Sequence, residues 1–576
     1  MEKISLGGEW KMVGNGYECT GNIPGSVYSF LLGSNLTDDP YYRENELKYL
    51  ELMNHDYVFS KKFDFERKFD DGRILLRCEG LDTLAEIFLN GNFVAATKNM
   101  HRKYEFDVSG YLNDGENEIK IVFRSPNNHI AKKYAKEPVF GTNDALKGFM
   151  HLRKAHCMFG WDWGARLPDA GIWRDISLIR ENSARLTDVR IIQRHNGGKV
   201  FLTVNAEVNG CADVDIRITS PLGEKISVVN GEETEIVNPL LWWPNGLGEQ
   251  NLYEVYINVM ESSKVVDSDT KSIGLRTMRL VRENDKYGQS FCHEINGVKF
   301  FAMGADYIPE DNILSRITPK RTDKLISQCK SCNFNAIRVW GGGYYPDDFF
   351  YNSCDRAGLV VFQDMMFACC AMPSDEDMHE EIRFECIDAL KRIRHHACIA
   401  VISGNNEVEE LLDEARIAER KTYLKIFEDM IPALVKELCP DIPYVPSSPS
   451  TCGHFVDPAN ENYGDSHYWE VWHGGKPFAE YRNHYFRYLS EFGFESFPCE
   501  KTVNSFTLPS DRNIFSRIME MHQRFCGGNA KILSYLGATF KYPNDFATLL
   551  YASQLLQAEA IRYGVEHLRR NRGRCM

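Results

Sequence analysis

From about residue 280 onward the chain repeats one pattern, a short apolar run followed by a helical stretch and then another short apolar run. The candidate strands are residues 300–303, 336–339, 359–362, 399–402, 444–446, 465–468 and 488–489. Strands separated by helices do not pair as hairpins, because the crossover returns the chain parallel to the strand before it. Roughly seven such units in about 300 residues predict a (β/α)8 TIM barrel, assigned here to residues 279–576. Catalytic side chains of such barrels sit at the C-terminal ends of strands. Two of the predicted strand ends carry a glutamate. Ile399-Ala400-Val401-Ile402 runs into Ser403-Gly404-Asn405-Asn406-Glu407, and Tyr488-Leu489 runs into Ser490-Glu491.

The first half of the chain has a different period. Tyr57, Phe59, Phe63 and Phe65 alternate onto one face, with Lys61 as the break in it. The segment 85–95 centres on Asn90-Gly91, which supplies the positive φ angles of a two-residue hairpin. Strands and turns at this spacing predict a jelly-roll β-sandwich over 1–183. Further strands at 199–208, 214–219 and 253–260, punctuated by Gly, Asn and Pro, predict an immunoglobulin-like sandwich over 184–278. No internal repeat or low-complexity tract is visible in the sequence.

Composition narrows the partners. At 576 residues three or four domains are expected, and 43% hydrophobic with 26% charged residues is ordinary for a folded soluble protein. A net charge of −14 argues against nucleic acid, whose phosphates need clustered Lys and Arg. The run Lys391-Arg392-Ile393-Arg394 reads as a solvated helix face. The first residues lack an apolar export core and no stretch approaches 18 apolar residues, so no membrane partner and a cytoplasmic location are expected. Seventeen cysteines without framework spacing read as free thiols in a reducing compartment, and Cys329-Lys330-Ser331-Cys332 has no second pair. His395 and His396 are adjacent, a spacing expected to point them apart on a helix or strand, and there is no HExxH, so neither metal nor cofactor is expected.

Glycosidic cleavage usually needs two carboxyl groups, one to protonate the leaving oxygen and one to attack or to activate water. Among 81 acidic residues, two glutamates at strand ends are ordinary by themselves. Their surroundings carry more. Gly404-Asn405-Asn406-Glu407 and Ser490-Glu491-Phe492-Gly493-Phe494-Glu495-Ser496-Phe497-Pro498 resemble the acid/base and nucleophile motifs of the β-mannosidases of glycoside hydrolase family 2. Phe159-Gly160-Trp161-Asp162-Trp163-Gly164, Gly171-Ile172-Trp173-Arg174, Arg338-Val339-Trp340-Gly341-Gly342-Gly343, Phe362-Gln363-Asp364 and His467-Tyr468-Trp469 resemble further motifs of that family, in its order. The resemblance covers essentially the whole chain from Gly8-Glu9-Trp10 onward.

The resemblance implies that Glu407 is the acid/base and Glu491 the nucleophile of a retaining reaction, with the carboxyl groups about 5 Å apart. It implies that Asn406 bonds the sugar 2-hydroxyl; a turn residue capping the strand is the bland alternative. It also implies that a first-domain loop brings Trp161 and Asp162 over the pocket and makes the enzyme exo-acting, the alternative for Trp161 being core packing. Trp340 resembles a pocket wall and Tyr468 the phenol that orients the nucleophile; for both, the alternative is an ordinary core aromatic. Arg338 either pairs with Glu491 or makes a structural ion pair, and Asp364 braces the barrel. Trp242-Trp243-Pro244-Asn245-Gly246 resembles a packing motif at a domain junction.

The substrate so implied is a small oligosaccharide ending in β-linked mannose. Pro346, Asp306-Tyr307 and Ile402-Ser403 depart from common family residues without removing a catalytic group. The family's eighth barrel strand is expected just beyond Met576, so the resemblance implies an open barrel, an exposed edge on the strand carrying Glu491, and little or no activity. Two other readings compete: a non-catalytic sugar-binding remnant, and a different family 2 exo-glycosidase such as a β-glucosaminidase or β-galactosidase.

Overall fold

Asn90 and Gly91 make the turn their chemistry favours, with φ of 50° and 79°, joining strands Ala85–Leu89 and Asn92–Thr97. The computed structural model describes residues 2–576 apart from 69–71, Asn182 and Cys452. The hairpin closes one edge of a six-stranded antiparallel sheet that also contains Gly8–Gly14, Tyr17–Ile23, Tyr57–Phe65 and Gly115–Phe123. A four-stranded antiparallel sheet is built from Glu2–Ser5, Arg73–Cys78, Tyr104–Asp107 and Ile176–Glu181. Trp10, Met12, Phe59, Leu76, Ile121 and Leu178 share the core of this unit. Lys61, the break in the apolar face, turns its ammonium to the Gly7 and Glu9 carbonyls at 2.8 and 3.0 Å.

The next strands form a three-stranded sheet (Arg185–Asn196, Lys199–Asn209, Glu233–Ile236) and a four-stranded sheet (Asp213–Thr219, Lys225–Val228, Tyr253–Glu261, Lys264–Ile273), with Val200, Leu202, Ile216, Ile218 and Val255 in a common core. Trp242 is fully buried at the junction with the last region, and its indole donates to the Asp355 carbonyl at 2.8 Å.

In the last region β1 (Asp306–Tyr307), β2 (Ala336–Val339), β3 (Val360–Asp364), β4 (Ile399–Ser403) and β5 (Tyr444–Val445) pair in sequence as one parallel sheet. A second parallel pair joins β6 (Ser466–His467) and β7 (Leu489–Glu491). Side chains alternate across these strands. Val361, Ile399 and Ile402 pack with helix residues, while Phe362, Val401, Val445 and Tyr488 meet on the inner side.

The first strand is displaced from its expected place. Residues 300–303 form no strand; Phe300 packs with Trp242 and Ile295 at the junction, so its apolar signal reports that contact. Pairing with β2 begins at the Met303 carbonyl and continues through the Ala305 and Tyr307 carbonyls. Among the described residues β1 and β7 do not pair with each other. Ala302 N donates to Met576 O at 2.8 Å, Met576 N donates to Arg487 O at 2.9 Å, and a cavity of about 450 Å³ bordered by Met303, Ala305, Phe362, Leu489, Ile561 and Leu568 lies between the two strands. No described helix is long and apolar enough to cross a membrane.

The first unit is fastened to the parallel sheet through buried polar contacts. The Arg153 guanidinium meets Glu385 at 2.6 and 2.9 Å and the Met366 carbonyl at 2.7 Å, while Cys157 N donates to Gly342 O at 2.9 Å. These bonds hold the loop after β3 and the glycines after β2, which form one side of the site.

Candidate active site

The C-terminal ends of β2, β3, β4, β6 and β7 converge on one buried polar cluster. Arg338, on β2, is its hub. Its guanidinium donates to Glu491 Oε1 at 2.6 Å, Asp364 Oδ2 at 2.7 Å and Asn406 Oδ1 at 2.7 Å, with Asp306 Oδ1 at 3.5 Å. A planar fork with five donors can serve three acceptors at once, which a lysine ammonium on a flexible stem cannot do with the same geometry. Asp364 also accepts from Gly341 N at 3.0 Å, so it braces the turn after β2 as well as the arginine.

Glu491 receives a second donor, the Trp469 indole, at 3.2 Å on Oε2. Its two oxygens thus meet a cation and a neutral N–H, which suits an ionised carboxylate that can only accept. Glu407 stands in a different setting. Its Oε1 is 2.7 Å from His467 Nδ1 and its Oε2 is 3.2 Å from the Cys369 thiol. Burial raises the Glu407 pKa, opposed by the Cys369 hydrogen bond and the charge of Arg338. His467 Nδ1 also lies 3.3 Å from Glu491 Oε2, so one ring nitrogen stands between the two carboxyl groups. Such closeness suits the roughly 5 Å separation of retaining pairs.

The backbone here is strained. Glu407 has φ of 59° and Cys369 has φ of 50°, left-handed values that cost a non-glycine residue roughly 1–2 kcal/mol. Tertiary bonds impose them: Glu407 N donates to Ser448 O at 2.8 Å, and Cys369 N to Asn406 O at 2.9 Å.

An aromatic cluster packs with Cys369, the thiol partner of Glu407. Trp340 makes edge contacts with Trp161 at 4.7 Å and Trp163 at 5.4 Å between ring centroids. Gly342 permits it, since a Cβ there would sit 1.8 Å from the Trp340 ring. Asp162, between the two first-unit tryptophans, is pushed up to about 7 by burial and then by the charges of Asp144, Glu407 and Glu491. Glu407, Glu410 and His467 bring donor atoms within 4.8 Å of one another. Two of the three are already bonded to each other, so the group is a hydrogen-bonded pair with a neighbouring carboxylate, not an assembled ligand cage.

Comparison with known proteins gives the family. A family model described as the glycosyl hydrolase 2 galactose-binding domain-like unit matches residues 9–174, and the glycosyl hydrolases family 2 model matches residues 184–276. Beta-mannosidase B of Aspergillus terreus is 32% identical over 96% of this chain and 69% of its own length, and that of Emericella nidulans is 30% identical over the same shares. The chain belongs to the β-mannosidases of glycoside hydrolase family 2. The crystal structure of a beta-D-mannosidase from Dictyoglomus thermophilum superposes with a TM-score of 0.94 at 33% identity, over 100% of this chain and 73% of that one. An exo-chitosanase from Amycolatopsis orientalis, at 16% identity and a TM-score of 0.71, shares the fold.

Seen as a family 2 site, the arrangement collects Glu407, Glu491, Arg338, Asn406, Trp161, Asp162 and Trp340 in one place. Tyr468 lies apart. Its ring packs against Tyr481, His484 and Phe486 at 5.9, 4.6 and 5.1 Å, away from the carboxyl of Glu491. Successive side chains leave an extended backbone on opposite sides, so His467 and Trp469 face the site and Tyr468 faces the core. Among the described contacts the Tyr468 phenol makes no hydrogen bond to Glu491; the Trp469 indole is the ring that does. The sequence reading also missed His467 and Cys369. The two-residue period through His467-Tyr468-Trp469 carried a signal for the first, whereas nothing local marked Cys369.

Proposed function

We propose that this chain is an exo-acting, retaining β-mannosidase that releases terminal β-linked mannose from small oligosaccharides. The observation that carries it is the pair Glu407 and Glu491, close together at strand ends yet given opposite partners, a neutral imidazole and thiol against a guanidinium and an indole. Glu407 enters protonated and gives its proton to the glycosidic oxygen while Glu491 attacks the anomeric carbon, so the C–O bond to the leaving group breaks as the glycosyl-enzyme ester forms. Glu407, now a carboxylate, takes a proton from the attacking water. The ester is cleaved, mannose leaves, and Glu407 is protonated again. Asn406, held through its carbonyl oxygen by Arg338, directs one amide N–H at Cys369 Sγ, 3.4 Å away, and keeps the other for the 2-hydroxyl.

Trp161, Asp162 and Trp340 are assigned to the terminal-sugar pocket, an aromatic face for the ring and a carboxyl for its outer hydroxyls. The division into a jelly-roll unit (1–183), an immunoglobulin-like unit (184–278) and a barrel-type catalytic unit (279–576) is part of the same reading, supported by the sheet membership of the strands. Free thiols among the described cysteines suit a reducing compartment. Arg338 borders the cavity between β1 and β7, yet Glu407 and Glu491 keep their contacts with Arg338, Cys369, His467 and Trp469, which supports an enzyme over a sugar-binding remnant. The test is hydrolysis of 4-nitrophenyl β-mannoside followed by proton NMR: β-mannose as the first product is expected, and α-mannose would refute the mechanism.

A further inference from the structure

His467 is enclosed by groups whose hydrogens can be counted. Its Nε2 lies 3.1 Å from Ser448 Oγ, and Ser448 Oγ lies 2.5 Å from Asp465 Oδ2. Asp465 collects donors on both oxygens, Ser490 Oγ at 2.8 Å beside Ser448 on Oδ2 and Ser450 N at 3.1 Å on Oδ1, and Ser490 lies farther from Ser448, at 3.3 Å, so the single hydrogen of the Ser448 hydroxyl points to Asp465 and leaves its oxygen to accept. His467 Nε2 therefore carries a hydrogen. A neutral imidazole carries no other, so Nδ1 presents a lone pair, and the oxygen 2.7 Å away on Glu407 must supply the proton between them. Glu491 does not need Nδ1–H, because Arg338 and Trp469 already donate to its two oxygens.

We propose that Asp465 and Ser448 fix the tautomer of His467 so that its Nδ1 holds the proton of Glu407, making His467 the positioning residue that keeps the acid loaded and aimed. This rests on the acid/base reading of Glu407. The geometry has an electrostatic counterpart: burial takes His467 down to about 4, which favours the neutral ring. The groups facing the pair are Glu491, Arg338, Asp465, Cys369, Glu410 on the helix after Glu407, His473 and, from the first unit, Asp162. In the first chemical step the O–H bond of Glu407 breaks as the leaving oxygen takes the proton, and Nδ1 loses its hydrogen bond. In the second, Glu407 takes a proton from water and the O–H···Nδ1 bond re-forms. His467 neither gains nor loses a proton over the cycle.

The first measurement is the nitrogen-15 NMR of the histidine-labelled full chain, with His467 assigned by difference against His467→Gln. A protonated Nε2 and a bare Nδ1 are expected in the resting enzyme, and a protonated Nδ1 overturns the proposal. The second is Ser448→Ala, which removes the acceptor at Nε2 and allows Nδ1–H to donate to a Glu407 carboxylate. The alkaline limb of kcat/KM should then move down by about one pH unit, with slow-leaving aryl mannosides losing more than 2,4-dinitrophenyl β-mannoside, and Ser448→Thr should restore both. Lower activity with an unmoved pH profile would mean a structural role only and would overturn the proposal. Azide rescue of Glu407→Ala on the dinitrophenyl substrate tests the acid/base reading separately, so failure of that reading is distinguishable from failure of the tautomer.

Discussion

Glu407 and Glu491 are the same side chain in two regions of one pocket, and their neighbours give them different settings. Glu407, after β4, is held by a thiol and a neutral imidazole. Glu491, at the end of β7, is held by a guanidinium and an indole. Burial raises the Glu407 carboxyl, whose two hydrogen-bond partners carry no charge, whereas Glu491 accepts from a guanidinium at 2.6 Å. What separates the two most is the charge of the nearest donor, an uncharged thiol and imidazole for Glu407 against a guanidinium for Glu491.

The strongest way to break this contrast is to delete each member. Glu491→Ala should lower turnover on the order of 10⁴-fold or more for every leaving group, because no covalent intermediate forms. Glu407→Ala should match that loss for poor leaving groups yet keep a measurable glycosylation burst with 2,4-dinitrophenyl β-mannoside, which needs little protonation. Small and equal losses in pre-steady-state assays would remove the two-role reading.

A smaller effect is expected from Arg338→Lys, which keeps a charge but loses the fork that reaches Glu491, Asp364 and Asn406 together. Its kcat/KM should fall by roughly 10²-fold, with near-normal folding by circular dichroism. A fall under threefold would show that the charge alone suffices. Next comes the choice between Trp469 and Tyr468. Trp469→Phe should reduce kcat about tenfold by removing one donor from Glu491, while Tyr468→Phe should leave kcat within about twofold. The reverse order would return the orienting role to Tyr468.

The smallest effect is on stability. Asp162 is raised to about 7 by burial and by its carboxylate neighbours, and Glu495 is raised to about 7 by burial and by Asp162. Each binds a proton in the folded protein at pH values where the unfolded chain has already lost it. Their contribution to stability therefore declines as pH rises from the ordinary carboxyl range near 4 toward 7, and stays low above that. Asp162→Asn should flatten this decline and add on the order of 1 kcal/mol at pH 8, read as a higher Tm, while β-mannoside kcat/KM drops. An unchanged slope of Tm against pH would show that Asp162 is better solvated than its position indicates.

Much of this was legible in the sequence. The two-residue period of the front half, the alternation of strand and helix after it, and the two glutamates at strand ends are local patterns, and local patterns survive in a linear text. The hairpin at Asn90-Gly91 followed from the backbone freedom of those two residues. What tertiary structure decided is where long-range contacts outweigh local signals. The apolar run 300–303 went to the Trp242 junction, and the first strand formed further along at Asp306–Tyr307. The ring beside Glu491 is Trp469 because the end of β6 turns that side of the chain inward. Cys369 meets Glu407 through a left-handed backbone held from another strand end. His467 acquires its tautomer from a serine 19 residues away. Arg338 joins β2 to partners 26, 68 and 153 residues along the chain. Hydrogen bonds across such separations leave no periodic trace, so which side chains the pocket contains was written locally, while which of them hold or release a proton was settled only when folding brought their neighbours together.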